Sequence, residues 1–228
     1  MALYSLWRGR FFEIAAFQGG TSLRILHKLP RFSEELDFIL LQPNASFDWS
    51  RYLDPLLTGL TEFGLQSEVL DKSKMDTYLD FPLDFEVCYQ DLPSNFALKI
   101  HALLCRPYIK GRNWYDFNRY IKQKVSPNLP HLQAALHQFG PWKAPNPVID
   151  TRWVVDRLNE KIATIDWKAA AADVERFLGA ADRESLKIWS ARFFSTRALA
   201  VALLLNPLLL QLRARASRPL SHVIDLTI

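Results

Sequence analysis

Cysteine is scarce in this chain of 228 residues: there are two, Cys88 and Cys105, and neither stands at a metal-ligand or disulfide spacing. A disulfide scaffold is excluded, and the pair reads as buried thiols in a reducing cytosol. Histidine is also thin, with five residues scattered along the chain, which offers no zinc site. Long apolar runs are missing. The most apolar stretch, ALAVALLLNPLLL at 198–210, is interrupted by Asn206 and Pro207. It falls short of the roughly 20 residues that cross a bilayer, so it predicts a buried or kinked helix. Residues 3–16 lack the apolar core and cleavage site of a signal peptide. No internal repeat is present. These absences predict a cytoplasmic chain with no membrane partner.

What is present can build a core. Hydrophobic residues make up 49% and aromatics 13%, which argues against disorder. The length admits one domain or two small ones. Net charge +4 and a pI near 9.1 are mildly basic, and suit an acidic partner such as a nucleotide or RNA without demanding one.

The most specific stretch is FQGGTSLRILHKLPRFSEELDF, residues 17–38. Gly19-Gly20 breaks regular structure, because glycine permits positive φ and close backbone approach. Thr21 or Ser22 is then the expected N-cap of a helix to about Lys28, with Leu23, Leu26 and Ile25 as its buried stripe. A glycine turn opening a helix aims backbone N–H groups and the positive dipole end at one point, which suits a phosphate. Pro30 ends the helix, and Leu36 to Leu41 form a short run of strand type. Glu35 and Asp37, two apart, would share one strand face, with Leu36 and Phe38 on the other. Paired carboxylates repel unless a cation lies between them, and carboxylates plus substrate phosphates are how Mg²⁺ is usually held. An acidic pair alone is the solvated face of a strand, and Gly-Gly alone is a turn. Their order here gives them weight together.

That order resembles the first motif of the minimal nucleotidyltransferases of the DNA polymerase β superfamily. More closely, it is similar to the AbiEii/AbiGii-type nucleotidyltransferase toxin family, which shows Gly-Gly-Thr, a helix, then Arg-Phe-Ser-Glu-Asp-Leu-Asp-Phe. Here the second half is Arg31-Phe32-Ser33-Glu34-Glu35-Leu36-Asp37-Phe38, so Glu35 replaces the first aspartate of Asp-x-Asp. The extra methylene moves its oxygens outward, which octahedral Mg²⁺ tolerates poorly.

Further along, residues 3–16 predict an amphipathic lead-in helix and residues 51–63 another, weakened by Pro55 and Gly59. Strands are expected at 65–71 and 83–90. On the second, Asp84 and Glu86 share a face and are either a third site carboxylate or a polar strand surface. Residues 96–106, FALKIHALLCR, predict a helix with Phe96, Ile100, Leu103 and Leu104 as its apolar stripe. Lys99 on that helix would ordinarily be a snorkelling surface lysine. The family places a lysine there, and then a Lys-Gly-Arg-Asp-Trp-Tyr-Asp-Phe run. Here the run is Lys110-Gly111-Arg112-Asn113-Trp114-Tyr115-Asp116-Phe117, with Asn113 in place of an aspartate. Asparagine keeps hydrogen bonding but cannot act as a general base. Lys110, Arg112 and Arg119 interleave with Trp114, Tyr115 and Tyr120. That pattern either contacts an RNA end by charge and stacking or forms a helix with a buried aromatic face. Turn chemistry at 126–130 and 140–147 separates predicted helices at 130–139, 150–164, 168–178 and 182–195, with Asp150 or Thr151 and Asp166 as caps. This part reads as a helical appendage with no catalytic constellation. A basic tail with Arg213, Arg215 and Arg218 ends the chain.

The resemblance implies an α+β fold: a nucleotidyltransferase-type mixed sheet with helices over 1–95, then a helical domain, 96–228, completing the active site. It implies nucleotide contacts by Gly19, Gly20, Thr21, Arg24, Arg31, Ser33 and Arg112. Glu35 and Asp37 would hold Mg²⁺, with Mn²⁺ as the alternative. Lys99 would offset triphosphate charge, and Asp116 would orient the site or assist deprotonation of the acceptor. The implied activity moves a nucleoside monophosphate from an NTP to an RNA, such as a tRNA 3′ end, or to a protein hydroxyl. Such enzymes act as toxins beside an antitoxin. The rival reading, which Glu35 and Asn113 favour, is a catalytically impaired nucleotide- or RNA-binding module of the same fold.

Overall fold

Residues 1–65, 87–143 and 147–206 are described by a computed structural model. Among them ten α-helices and one two-stranded sheet make an α+β fold, mostly helical. The chain divides into two units, Met1–Asp91 with Glu175–Ser185, and Leu92–Val174 with the stretch from Leu186 onward.

In the first unit, α1 spans Ala2–Arg8 and stops there, short of the lead-in helix expected over 3–16. Arg10 turns left-handed at φ 60°, a 3-10 turn covers Phe11–Glu13, and β1 follows at Ala15–Gln18. A short apolar run fits a buried strand as well as a helix. Here strand wins because both edges of the run find partners. On one side β2 (Asp37–Leu40) pairs antiparallel, with Ala15 opposite Leu40 and Gln18 opposite Asp37. On the other, the Phe17 N–H donates to the Cys88 carbonyl at 2.8 Å, and the Gln90 N–H donates to the Phe17 carbonyl at 3.0 Å. Within the stretch expected as a strand over 83–90, residues 88–90 thus flank Phe17, with a single bridge between Phe17 and Tyr89. Asp84 and Glu86, and nearly all of the strand expected at 65–71, lie outside the described residues.

The core of this unit is aromatic. Phe11 packs edge-on against Phe38 at 5.0 Å and Tyr52 at 4.9 Å, while Leu6, Phe12, Ala15 and Phe17 complete the buried cluster. Phe38 and Leu40 face this cluster from β2, which turns Asp37 and Ile39 to the opposite face. α2 (Gly19–His27) follows β1 directly, and α3 (Ser50–Glu62) runs through Pro55 and packs on α1. Two residues before Ser33 the chain is tied to Glu175–Ser185, which includes α9 (Ala180–Arg183): Arg31 bridges Leu178, and the Phe32 N–H donates to the Phe177 carbonyl at 2.8 Å.

The second unit is helical: α4 (Leu92–Cys105), α5 (Gly111–Lys122), α6 (Leu129–Gln138), α7 (Thr151–Ala163), α8 (Trp167–Glu175, its last residue assigned to the first unit) and α10 (Ala191–Leu205). Phe96, Ile100, Leu103 and Leu104 are buried, as the α4 stripe predicts. Asp150 accepts the Trp153 N–H at 2.7 Å, and Asp166 accepts from Lys168 and Ala169, which caps α7 and α8. The helix expected over 182–195 is instead three pieces. α9 gives way to a 3-10 segment at Glu184–Ile188, and Ser190, extended, caps α10 by accepting the Phe193 N–H. A serine hydroxyl satisfies a helix start better than a helix interior, so the chain restarts there.

Of the two readings of the basic and aromatic run, the structure takes the buried aromatic face: Trp114, Tyr115 and Tyr120 are buried and do not stack on an RNA end. Tyr120 stacks on Phe96 at 4.5 Å, and Trp114 meets Trp167 and Phe194 edge-on at 5.1 and 5.2 Å. Nor is the C-terminal part an appendage. Phe194 of α10 stacks on Trp167 of α8 at 4.2 Å, and α7 packs along α10. Among the described residues no single helix is long and apolar enough to cross a membrane.

Candidate functional site

In the first unit the site residues meet where β1 passes into α2. Gln18 is still extended and pairs with Asp37, so the helix begins at Gly19, two residues before the expected cap, without a side-chain cap from Gln18. Thr21 is thereby released from capping, and its hydroxyl donates to the Glu35 backbone carbonyl. Of the expected stripe on α2, Leu23 is buried, whereas Ile25 and Leu26 are exposed.

The two glycines are dictated by close approach. Gly19 has φ +78°, and a Cβ there would overlap the Asp37 carboxylate. A Cβ on Gly20 would lie 2.5 Å from an Arg31 guanidinium nitrogen and 2.7 Å from Ser33 Oγ. The start of α2 therefore lies directly on the 31–37 segment. Gly19, Gly20, Thr21, Arg31, Ser33, Glu35 and Asp37 form one cluster.

Arg31 is 3% exposed, and its guanidinium donates to the Phe32 carbonyl at 2.6 Å. Arg24 donates to the Arg31 carbonyl at 3.1 Å and lies 4.5 Å over the Phe32 ring. Both arginines, expected as nucleotide contacts, support the loop that carries the carboxylates. The carboxylates differ in setting. Asp37 is half-buried at the first position of β2, while Glu35 is exposed and precedes the strand. The expectation that one strand face aligns them is corrected: pairing with β1 ends at Gln18 and Asp37, so strand geometry does not extend to residue 35.

In the second unit, α4 and α5 bring Lys99 to Asp116 and Asn113. The Lys99 ammonium is 2.9 Å from Asp116 Oδ2 and donates to Asn113 Oδ1 at 3.2 Å. The side chain of Asp116 is 0% exposed and that of Lys99 13%. Lys99 is thus no snorkelling surface lysine, and Asp116 is enclosed against it. Arg112 is half-buried in the first turn of α5. That turn is anchored by Asp173, whose carboxylate accepts the Gly111 N–H at 2.7 Å; a Cβ on Gly111 would overlap the Ala170 carbonyl.

Sequence reasoning missed Phe177 and Leu178, which hold the loop before Ser33, and Asp173, which fixes the start of α5. Pairings across such sequence distances leave no local pattern. The Lys-Gly pair at 110–111, a glycine at a helix start, was the one available signal for the second.

Among the described residues, no group of three or more His, Cys, Asp or Glu side chains is arranged to hold a metal ion. No curated protein and no solved structure matches the chain. A family profile does, over residues 2–69 and 60–193, which together take in both the glycine–carboxylate cluster and the Lys99–Asp116 pair. On that match the chain belongs to the nucleotidyl transferase AbiEii toxin family of type IV toxin–antitoxin systems.

Proposed function

We propose that this chain moves a nucleoside monophosphate from an NTP to a hydroxyl of RNA, such as a tRNA 3′ end, or of a protein, as the cytoplasmic toxin partnered by a cognate antitoxin in phage defence. The observation that carries this reading is the fit of Gly19 and Gly20 against Asp37, Arg31 and Ser33, where no side chain larger than hydrogen has room. The glycines thereby bring the start of α2, where backbone N–H groups favour an anion, directly against the Asp37 carboxylate.

The donor set fits a hard divalent cation. Glu35 and Asp37 supply carboxylate oxygens, and Asp37 lies against the start of α2, where phosphate oxygens are favoured. Mg²⁺ or Mn²⁺ held by Glu35 and Asp37 would neutralise phosphate charge and lower the pKa of the attacking hydroxyl. The chain's own groups do the rest. Thr21, by holding the Glu35 carbonyl, fixes the loop on which that carboxylate sits. The acceptor hydroxyl gives its proton to solvent as its oxygen attacks the α-phosphorus, the bond from that phosphorus to the oxygen bridging it to the β-phosphate breaks, and pyrophosphate leaves with that oxygen. In the second unit Asp116 holds the Lys99 ammonium in place, the group to which the family resemblance gives the offsetting of phosphate charge. Positioning and electrostatics supply most of the acceleration in such transfers.

The test is label transfer from each of the four α-³²P NTPs, with Mg²⁺ or Mn²⁺, to total RNA and protein, comparing wild type with Asp37→Ala. Label that appears with wild type and is lost with the variant is the expected result, and it names donor and acceptor class. Absence of label with either metal, while NTP still binds by calorimetry, favours the second reading, a binding module. The exposed position of Glu35 ahead of the strand is the observation in its favour.

A further inference from the structure

We propose that a hollow on the first turns of α10 docks the phosphate backbone of an RNA acceptor. The proposal rests on the nucleotidyltransferase reading above, and it chooses RNA over a protein hydroxyl.

Charge is divided unevenly along the chain. Among the described residues the first unit carries eight Lys and Arg against eleven Asp and Glu, and the second carries fifteen against six. The modest net charge of +4 thus hides a strongly basic helical unit, the electrostatic footprint of a protein that holds a polyanion. Several of its cations are already paired: Lys99 with Asp116, Arg152 with Asp156 and Arg157 with Glu160. Arg192 and Arg197 are different. Among the described residues neither makes an ion pair. With Ser190, Phe193 and Thr196 they line a hollow of about 350 Å³, and none of the five is acidic.

The hydroxyls of that lining are committed to the helix. Ser190 Oγ accepts the Phe193 N–H at 3.2 Å, and Thr196 Oγ1 donates to the Arg192 carbonyl at 3.0 Å. What remains for a ligand is the two guanidinium groups. Arg192 is exposed, while Arg197 is half-buried and lies 5.0 Å over the Phe193 ring, which limits its swing. A guanidinium offers a planar fork of N–H donors that matches phosphate oxygens. A protein partner would need an apolar or aromatic anchor. The one such side chain in the lining, Phe193, is already covered by Arg197.

The test is fluorescence anisotropy of a fluorescein-labelled oligouridylate, titrated with the full chain over a range of salt, without NTP or divalent metal. Wild type is compared with Arg192→Gln/Arg197→Gln and with Arg152→Gln/Arg157→Gln, which removes the same charge from α7, each checked for folding by thermal melting. The α10 pair should weaken binding about tenfold or more. It should also lower the slope of log K against log salt by about 1.4, for two phosphate contacts at about 0.7 each in a single strand. The α7 pair should change affinity less than about twofold, since its arginines are engaged by their own carboxylates. If the α10 pair does not fold, Arg192→Gln alone, at an exposed position, should lower the slope by about 0.7. Equal weakening by the two pairs would mean that net charge alone matters, and overturns the proposal. So does an unchanged salt slope, or displacement of the RNA by an equal charge concentration of oligoglutamate, which would point to an acidic protein instead. Wild type that binds the RNA through these arginines but transfers no label upholds the docking site and fails the transferase reading. Wild type that transfers label to protein and binds no RNA keeps that reading and overturns this one.

Discussion

The Lys99–Asp116 pair gives the sharpest test of how the second unit is built. Asp116 is fully enclosed, and Lys99 nearly so. Replacing Asp116 with alanine leaves a largely buried ammonium without its carboxylate, a situation that costs about 3–5 kcal/mol. For a chain of this size each kcal/mol lowers Tm by about 2–4 °C, so Asp116→Ala should melt about 6–20 °C below wild type. Lys99→Met leaves the fully enclosed Asp116 carboxylate without its ammonium and should cost a similar amount. The double variant Lys99→Met/Asp116→Leu removes both charges and fills the space with apolar atoms. It should recover stability to within about 1–2 kcal/mol of wild type while transferring no label. Urea and thermal unfolding of wild type, Lys99→Met, Asp116→Leu and this double variant closes a double-mutant cycle, with an expected coupling of about 2–3 kcal/mol. Additive single effects, or an Asp116→Ala protein melting within about 2 °C of wild type, would refute a buried ion pair at this position.

Three further outcomes follow from named contacts. Gly19→Ala meets an unfavourable φ, worth about 1–2 kcal/mol, and presses on the Asp37 carboxylate. Transfer should fall about 100-fold with circular dichroism unchanged, and wild-type transfer would contradict a role for the close approach of Gly19 to Asp37. Asp173→Ala removes the acceptor of the Gly111 N–H. It should cost about 1.5–3 kcal/mol, with Asp173→Asn recovering part of it, read as Tm. Burial pushes the Cys105 thiol up to about 11, with Lys161 pulling it back. In a Cys88→Ser protein, iodoacetamide labelling of Cys105 should therefore keep rising with pH past 10, and a plateau near pH 9 would contradict its enclosure.

Helices with a strong apolar stripe and a capping residue were legible in the sequence. Phe96, Ile100, Leu103 and Leu104 mark α4, and Asp150 and Asp166 mark the starts of α7 and α8. What escaped was decided by distant partners. Ala15–Gln18 is a strand only because β2 and residues 88–90 flank it, and nothing within those four residues says so. Glu175–Ser185 joins the first unit through backbone pairing at Arg31 and Phe32, although it reads as part of a helical run. The site was legible as a set of residues and less so as a geometry. Gly19 and Asp37 do meet, but Thr21 bonds to a carbonyl instead of capping α2, and Glu35 stands outside the strand expected to align it.

The two departures from the family motif therefore carry different weight. Asn113 accepts from the Lys99 ammonium inside the second unit, so a change from acid to amide there removes a charge beside Lys99 and keeps an oxygen in contact with it. Glu35 is different, because its carboxylate is exposed and would be half of the donor set. Two features work in its favour. Its backbone is pinned by the Thr21 hydroxyl, and thus to the same helix start that faces Asp37. Since residue 35 precedes the strand, its distance from a cation beside Asp37 is not set by the strand repeat, and a longer side chain can serve where an aspartate on a regular strand would not need to reach. On this argument catalytic competence turns on residue 35. Glu35→Asp becomes the informative substitution: it shortens the reach by one methylene and leaves charge and backbone tether in place.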